Sequence, residues 1–298
     1  MILRPFDPWK GEMCTCPAKL SLNPYTGCPH GCLYCYASSY IPRFAECRPK
    51  VDLLRRLARE SSRIRPGTLV SMSNSSDPYP SQEEWLLLSR GCLQILKERR
   101  LCVQVVTKSH LVARDADLLS GMNACVAMTI TSLSESISSR LEPGAPSPAR
   151  RLDAMAKLSA KGVALSARID PIIPGINDGE IEQLAAAVSR AGARHITSST
   201  IKAKPGIVKR ITASFPHEGA ALGRLFARGS KFAGSLYLPE ETRYDLMLRI
   251  KECARRESVT FSTCREGWAN IPGISCDGSH LLSAVGNLEK IPYFNSPT

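Results

Sequence analysis

Residues 23–36 read Asn23-Pro-Tyr-Thr-Gly-Cys28-Pro-His-Gly-Cys32-Leu-Tyr34-Cys35-Tyr36. Three thiols stand at i, i+4 and i+7, a spacing that would make one stripe along a helix. Pro29 and Gly31 fall between them, and both disfavour a helix interior, so the stretch is expected to be a loop. Just ahead of it, Lys19–Tyr25 is short, alternating and bounded by turn residues, as a strand should be. A thiol-bearing loop after a first strand suits a parallel α/β barrel, whose active sites gather at the C-terminal ends of the strands.

Outward from that loop, strand-like and helix-like stretches alternate. Candidate strands are Thr68–Ser73, Leu101–Thr107, Ala124–Thr131, Val163–Ile169 and Arg194–Ser198. Helical periodicity runs through Val51–Glu60, Glu83–Glu98, Pro148–Ala160 and Glu180–Ala191, with a shorter helix around Ala113–Ser120. The expected fold is α/β: a partial, three-quarter parallel (β/α)6 barrel with a C-terminal extension. An open doubly wound sheet fits the pattern as well. From Ile201 the alternation fades into an irregular basic stretch holding Lys202, Lys204, Lys209 and Arg210. A helix over Glu240–Arg256 and a candidate last strand, Val259–Phe261, follow. The expected organisation is a lead-in over 1–18, the barrel over 19–200, and an extension over 201–298 that closes it.

The 298 residues are 43% hydrophobic, enough for a sizeable core, and carry a net charge of +12. Such a field favours polyanions, so nucleic acid is a candidate partner, although a well-solvated basic surface explains the charge equally well. No signal-peptide core and no membrane-length apolar run is present, so a cytoplasmic chain with no membrane partner is expected. Twelve cysteines in such a chain point to metal or cluster ligation before disulfides.

Clusters of the [4Fe–4S] type want four ligands, usually thiolates. Cys28, Cys32 and Cys35 supply three and leave one iron open, which the amino and carboxylate groups of S-adenosylmethionine (SAM) suit. Haem attachment needs a histidine after the CxxC, where Tyr36 stands instead. A thioredoxin-like pair of Cys32 and Cys35 leaves Cys28 unexplained. Zinc needs a fourth ligand, for which His30 or Cys16 would serve.

The cysteine loop resembles the CxxxCxxC signature of radical SAM enzymes. The run from Asn23 to Phe44, then SNSSDPY (73–79), TKS (107–109) and RLEPGAPSPARRL (140–152), is similar to the spore photoproduct lyase group of that superfamily over about residues 20 to 200. The resemblance implies that Tyr34 and Tyr36 flank the cluster and SAM, and that Ser76, Lys108 and Thr129 contact SAM. The Ser75–Ser76 segment takes the place that receives the methionine amino group; a capped turn before the next helix is its plainer reading. It implies a SAM-derived radical that abstracts hydrogen from a substrate, and an electron donor such as a ferredoxin or flavodoxin. Lyases of this group carry a hydrogen-donating cysteine where this chain has Asn74, so a substrate other than the thymine dimer is expected.

Arg168 and Asp170 alternate with Ile169 and are expected to face the interior, where a buried charge needs a partner or a ligand. A ligand contact and a structural pair between Arg168 and Glu142 compete there. Cys125 shares the inward parity of Thr129 but lies at the far end of its strand, as a small buried hydrophobe. Cys14, Cys16, Cys264 and Cys276 form a candidate second metal site, for a further Fe–S cluster or zinc, if lead-in and tail meet. Four unrelated cysteines are the alternative. Cys92, Cys102 and Cys253 read as packed, Cys47 as loop-exposed and His195 as a core histidine. The rival to an enzyme is a non-catalytic, zinc-stabilised nucleic-acid-binding protein.

Overall fold

The computed structural model describes residues 1–6, 13–268 and 271–283. Chain order begins with β1 (Arg4–Pro5), β2 (Leu20–Leu22), a short antiparallel pair of β3 (Tyr25–Thr26) and β4 (Arg48–Pro49), and α1 (Leu53–Ser61). Next come β5 (Leu69–Met72), α2 (Glu83–Leu86), α3 (Leu88–Glu98), β6 (Cys102–Thr107), α4 (Ala116–Ser120), β7 (Ala124–Thr129), α5 (Glu135–Leu141) and α6 (Pro148–Ala160). The chain continues through β8 (Ala164–Ile172), α7 (Ile181–Arg190), β9 (His195–Thr200), α8 (Ile207–Ser214) and α9 (Pro216–Arg228). A hairpin of β10 (Ser230–Phe232) and β11 (Ser235–Tyr237), then α10 (Glu240–Arg256) and β12 (Thr260–Thr263), complete it.

One sheet has the order β1-β2-β5-β6-β7-β8-β9-β12, and every neighbour pair but β1–β2 is parallel. The partial α/β barrel therefore has the six expected strands and, as β12, the candidate last strand, shifted to Thr260–Thr263, with Thr260 aligned to His195. Alternation sorts the side chains of each strand. Val70, Val103, Val105, Val126, Leu165 and Ile196 join the core under the helices, with Leu57, Leu93, Leu158, Leu184 and Ile250. Their neighbours Ser71, Gln104, Cys125, Ser166 and Thr197 turn inward and are also fully buried. Strands buried on both faces are what a helix-covered parallel sheet requires.

Three expectations need correction. The first strand stops at Leu22, because Pro24 lacks the N–H that would continue a ladder. The Glu83–Glu98 helix is broken at Leu87, whose φ is 52°. The buried Glu83 carboxylate turns back to accept the N–H groups of Ser89 and Arg90, capping α3 as a separate helix. The supposedly irregular basic stretch holds α8 and α9, which bury Ile207, Ile211, Leu222 and Phe226 together.

Residues 271–283 lie across the N-terminal ends of the strands. Leu282 packs on Leu69, Cys102 and Cys125, and Asn123 donates to the carbonyl of Ser283 at 2.6 Å. Asp277 accepts from the buried Lys19 amine, and its backbone carbonyl accepts from Gln104 at 2.6 Å. His195 is buried against this segment, 2.9 Å from the Thr260 hydroxyl and edge-on to His280. Burial, then repulsion from His280, pulls its pKa down to about 3. Because the unfolded chain protonates first, near pH 6.5, stability is expected to fall as pH drops from about 6.5 toward 3. From pH 7 to 5 the loss reaches at most about 2 kcal/mol for this one group. Denaturant melts should show it, and His195→Gln should flatten the dependence; an unchanged acid limb in that variant removes His195 as its cause.

Candidate active site

Inside the sheet, at the C-terminal strand ends, is a cavity of about 310 Å³. Cys28, Cys32 and Cys35 all line it, on the loop expected from Pro29 and Gly31. The loop is fixed by its backbone rather than by its thiols. Cys28 N–H donates to the Phe44 carbonyl at 2.8 Å, and Leu33 N–H to Leu141 at 2.9 Å. Arg210 Nε, on α8, donates to the Leu33 carbonyl at 3.1 Å. Gly27 has φ +81° and leaves no room for a side chain, since a Cβ would stand 2.3 Å from the Glu46 carbonyl oxygen.

Gly144 braces the loop from the other side: its N–H donates to the His30 carbonyl at 2.9 Å. A Cβ there would meet the Pro29 carbonyl oxygen at 2.2 Å. Gly144→Ala is therefore expected to push the thiol loop out of place, costing about 1–3 kcal/mol, the usual price of overpacking. Melting and metal content should fall together; wild-type values for both would show that the loop yields freely.

Each expected cofactor contact lies in the cavity wall. Tyr34 and Tyr36 flank Cys35; the Tyr34 hydroxyl donates to Glu142, and that of Tyr36 to the Asn74 carbonyl at 2.6 Å. Ser75 and Ser76 line the wall after β5, and the Ser76 hydroxyl donates to the Tyr25 carbonyl at 3.2 Å. Asp77 accepts the Lys108 N–H at 2.8 Å, and its carboxylate stands 3.6 Å from His30 Nδ1. His30 is buried and its pKa is lowered by that burial. Thr129 ends β7 in the wall, nearly buried.

Lys108 projects into the same space, its amine 3.9 Å from Glu142 and 5.5 Å from the centre of the Tyr34 ring. Burial works against its charge, but the Cys32 thiol and Glu142 outweigh that and raise its pKa. Glu142 is buried between Lys108 and Arg151, and these cations hold its carboxyl below the usual range despite burial. Cys32 is pushed up to about 12, chiefly by burial. Arg168 and Asp170 both face the cavity, but their charges pair with each other, so the proposed Arg168–Glu142 pair does not form. Ser199 donates to Asp170 at 2.6 Å.

The four cysteines of the expected second metal site have different neighbours. Cys16 Sγ lies 3.4 Å from Cys276 Sγ, and Cys14 is hydrogen-bonded to Cys16. Cys264 lines the same cavity but bonds with Arg168 instead. Cys125, Cys92, Cys102 and Cys253 are buried as expected, and Cys47 is half-buried. Asp77, Ser199 and the bridging role of Glu142 are not legible in the sequence, because no local spacing ties them to the cysteine loop.

Residues 22–188 match the family model described as the radical SAM superfamily. The chain belongs to that superfamily. Membership implies a [4Fe–4S] cluster, SAM and an electron donor. An uncharacterized protein of Methanocaldococcus jannaschii is 31% identical over 166 residues, 55% of this chain and 64% of that protein. A radical SAM Nalpha-GlyT isomerase of Pseudomonas phage M6 is 22% identical over 262 residues, 84% of this chain and 54% of the isomerase. The chain thus spans under two thirds of the length of these relatives. Among solved structures, a spore photoproduct lyase variant with bound AdoMet and dinucleoside spore photoproduct superposes with a TM-score of 0.62. That match has 16% identity and covers 81% of this chain and 75% of the lyase, so it establishes the shared fold. No helix among the described residues is long and apolar enough to cross a membrane.

Proposed function

We propose that Cys28, Cys32 and Cys35 hold the [4Fe–4S] cluster and that the cavity above them binds SAM beside an anionic substrate of the nucleic-acid class. The observation carrying this reading is the convergence of three thiols from one loop on a cavity that also contains Lys108. The donor set fits: all three are soft sulfur ligands carried by one loop on one cavity wall. A [4Fe–4S] cluster held by Cys28, Cys32 and Cys35 would supply the one-electron reduction that cleaves SAM for hydrogen abstraction from the substrate.

The protein's own residues bind, orient and exclude water. Lys108 presents a fixed ammonium to the SAM carboxylate, with Glu142 setting where that ammonium stands. Ser75 and Ser76 would offer hydroxyls to the methionine amino group, Thr129 would contact SAM, and Tyr34 and Tyr36 would flank cluster and SAM. Arg168 and Asp170, which pair with each other while Ser199 donates to Asp170, would meet substrate or ribose hydroxyls. Position 74 holds an amide whose nitrogen donates to the Ser21 hydroxyl at 2.9 Å, so it has no thiol to return hydrogen. That absence argues against thymine-dimer repair, and the net charge of +12 supports a different, polyanionic substrate of the nucleic-acid class. Family membership favours this enzyme over the zinc-stabilised binding protein. A ferredoxin or flavodoxin as electron donor and a cytoplasmic setting complete the reading.

The test is anaerobic reconstitution with SAM and dithionite, scored by 5′-deoxyadenosine. Its absence from protein that carries the cluster overturns the reaction class. Binding to oligonucleotides should weaken steeply with salt, whereas salt-independent or absent binding overturns the substrate class.

A further inference from the structure

We infer that Cys14, Cys16 and Cys276 form a second thiolate site, for a thiophilic metal centre, in the wall of the same cavity near Lys19. Cys16 and Cys276 lie 260 positions apart in the chain, yet their sulfurs stand 3.4 Å from each other, and Cys14 bonds to Cys16. All three line the cavity that Cys28, Cys32 and Cys35 line.

Both approaches to the site are anchored. On the tail side, the Thr197 hydroxyl donates to the Cys276 carbonyl at 2.9 Å, which ties Cys276 to β9. The next residue, Asp277, is held by Lys19 and, through its carbonyl, by Gln104. On the lead-in side, the Phe6 N–H donates to the Lys19 carbonyl at 2.8 Å. Lys19 thus fixes both segments and places a buried ammonium near the sulfurs, where it offsets the negative charge of a thiolate set. A Cβ added at Gly267 would stand 3.9 Å from Met13, so the lead-in also runs close to the chain that follows β12, one of the two edge strands of the sheet.

A disulfide is the competing use of close thiols. It would draw two sulfurs in to about 2.05 Å and leave the third of this chain of contacts idle. A metal uses all three, each thiol releasing its proton on ligation. Among the described residues no three Cys, His, Asp or Glu side chains already converge on a single-ion position, and that is equally so for Cys28, Cys32 and Cys35. The Cys16 and Cys276 sulfurs, 3.4 Å apart, are slightly closer than the roughly 3.8 Å between two thiolates on one tetrahedral Zn²⁺ with Zn–S near 2.3 Å, so a small opening admits a single ion, whereas a polynuclear cluster requires the thiols to spread further. Cys264, bonded to Arg168, is outside the site.

The test is metal and sulfide analysis of full-length protein, purified and reconstituted without oxygen in the presence of iron, sulfide and zinc. Wild type, Cys16→Ser/Cys276→Ser and Cys28→Ser/Cys32→Ser/Cys35→Ser are compared. Wild type is expected to exceed the roughly four irons of one cluster, by about one zinc or by about four further irons with sulfide. The double variant should lose only that excess, and the triple variant should keep it. Zinc or iron in the excess identifies the centre. Cys14→Ser, at the more exposed end of the triad, guards against misfolding: it should weaken retention of the excess against a chelator at least severalfold with an unchanged melt. The inference is overturned if wild type stops at one cluster, if the double variant keeps the excess, or if non-reducing mass spectrometry finds a Cys16–Cys276 disulfide in the anaerobic protein. Failure of the radical SAM reading would appear elsewhere, as no difference in iron between wild type and the triple variant.

Discussion

Cys32→Ala is expected to abolish SAM cleavage, lowering 5′-deoxyadenosine formation by roughly a thousandfold or more, equivalent to about 4 kcal/mol of barrier. Cys32 is the middle ligand of the three and stands closest in charge to Lys108 and Glu142. Its thiol is pushed up to about 12 by burial, so a cluster must displace a proton to bind there. Loading should therefore weaken as pH falls. The apo fold should survive the substitution, because the loop hangs on backbone bonds from Cys28, Leu33 and Gly144. The measurement pairs the product assay with the broad charge-transfer absorbance of the cluster. Wild-type turnover in a folded Cys32→Ala protein would end the proposal for this loop.

Glu142→Ala is expected to be the most damaging single change to stability, by about 3–5 kcal/mol, because it leaves buried positive charge unpaired. Arg151 is 1% exposed, and its guanidinium lies against the Glu142 carboxylate as an ion contact; Lys108 faces it from the cavity side. Urea unfolding should show the loss. Glu142→Gln keeps the shape and an acceptor for Tyr34 but removes the charge, so it should cost less. If Glu142 also positions Lys108, either variant should weaken SAM binding, and Lys108→Met should reduce the additional effect of Glu142→Gln. Simple additivity of the two changes would separate Lys108 from Glu142. A Glu142→Ala protein as stable as wild type would mean that water already reaches the pair.

The parts of the fold carried by short-range pattern were legible. Val103, Val105, Val126 and Leu165 alternate with inward residues, and period two places them under helices without reference to distant chain. The break at Leu87 was not legible, since no Gly or Pro marks it and its cause is a carboxylate returning from Glu83. The α8–α9 pair did leave a signal, Ile207, Ile211 and Phe215 at helical spacing, but the neighbouring Lys and Arg residues masked it. Arg168 was rightly turned inward by strand parity, while its partner was left open between Glu142 and a ligand, because parity fixes a face and not a neighbour.

By itself, the sequence determined the α/β class, the loop nature of residues 23–36 and the grouping of Cys28, Cys32 and Cys35, all of which depend on residues within a few positions of one another. Tertiary structure alone decided that Glu142 joins Lys108, Tyr34 and Arg151, that Asp277 meets Lys19, and that Cys276 meets Cys16. Those contacts close only when strands far apart in the chain curve around one cavity, and no local spacing encodes which distant residue a given face will meet.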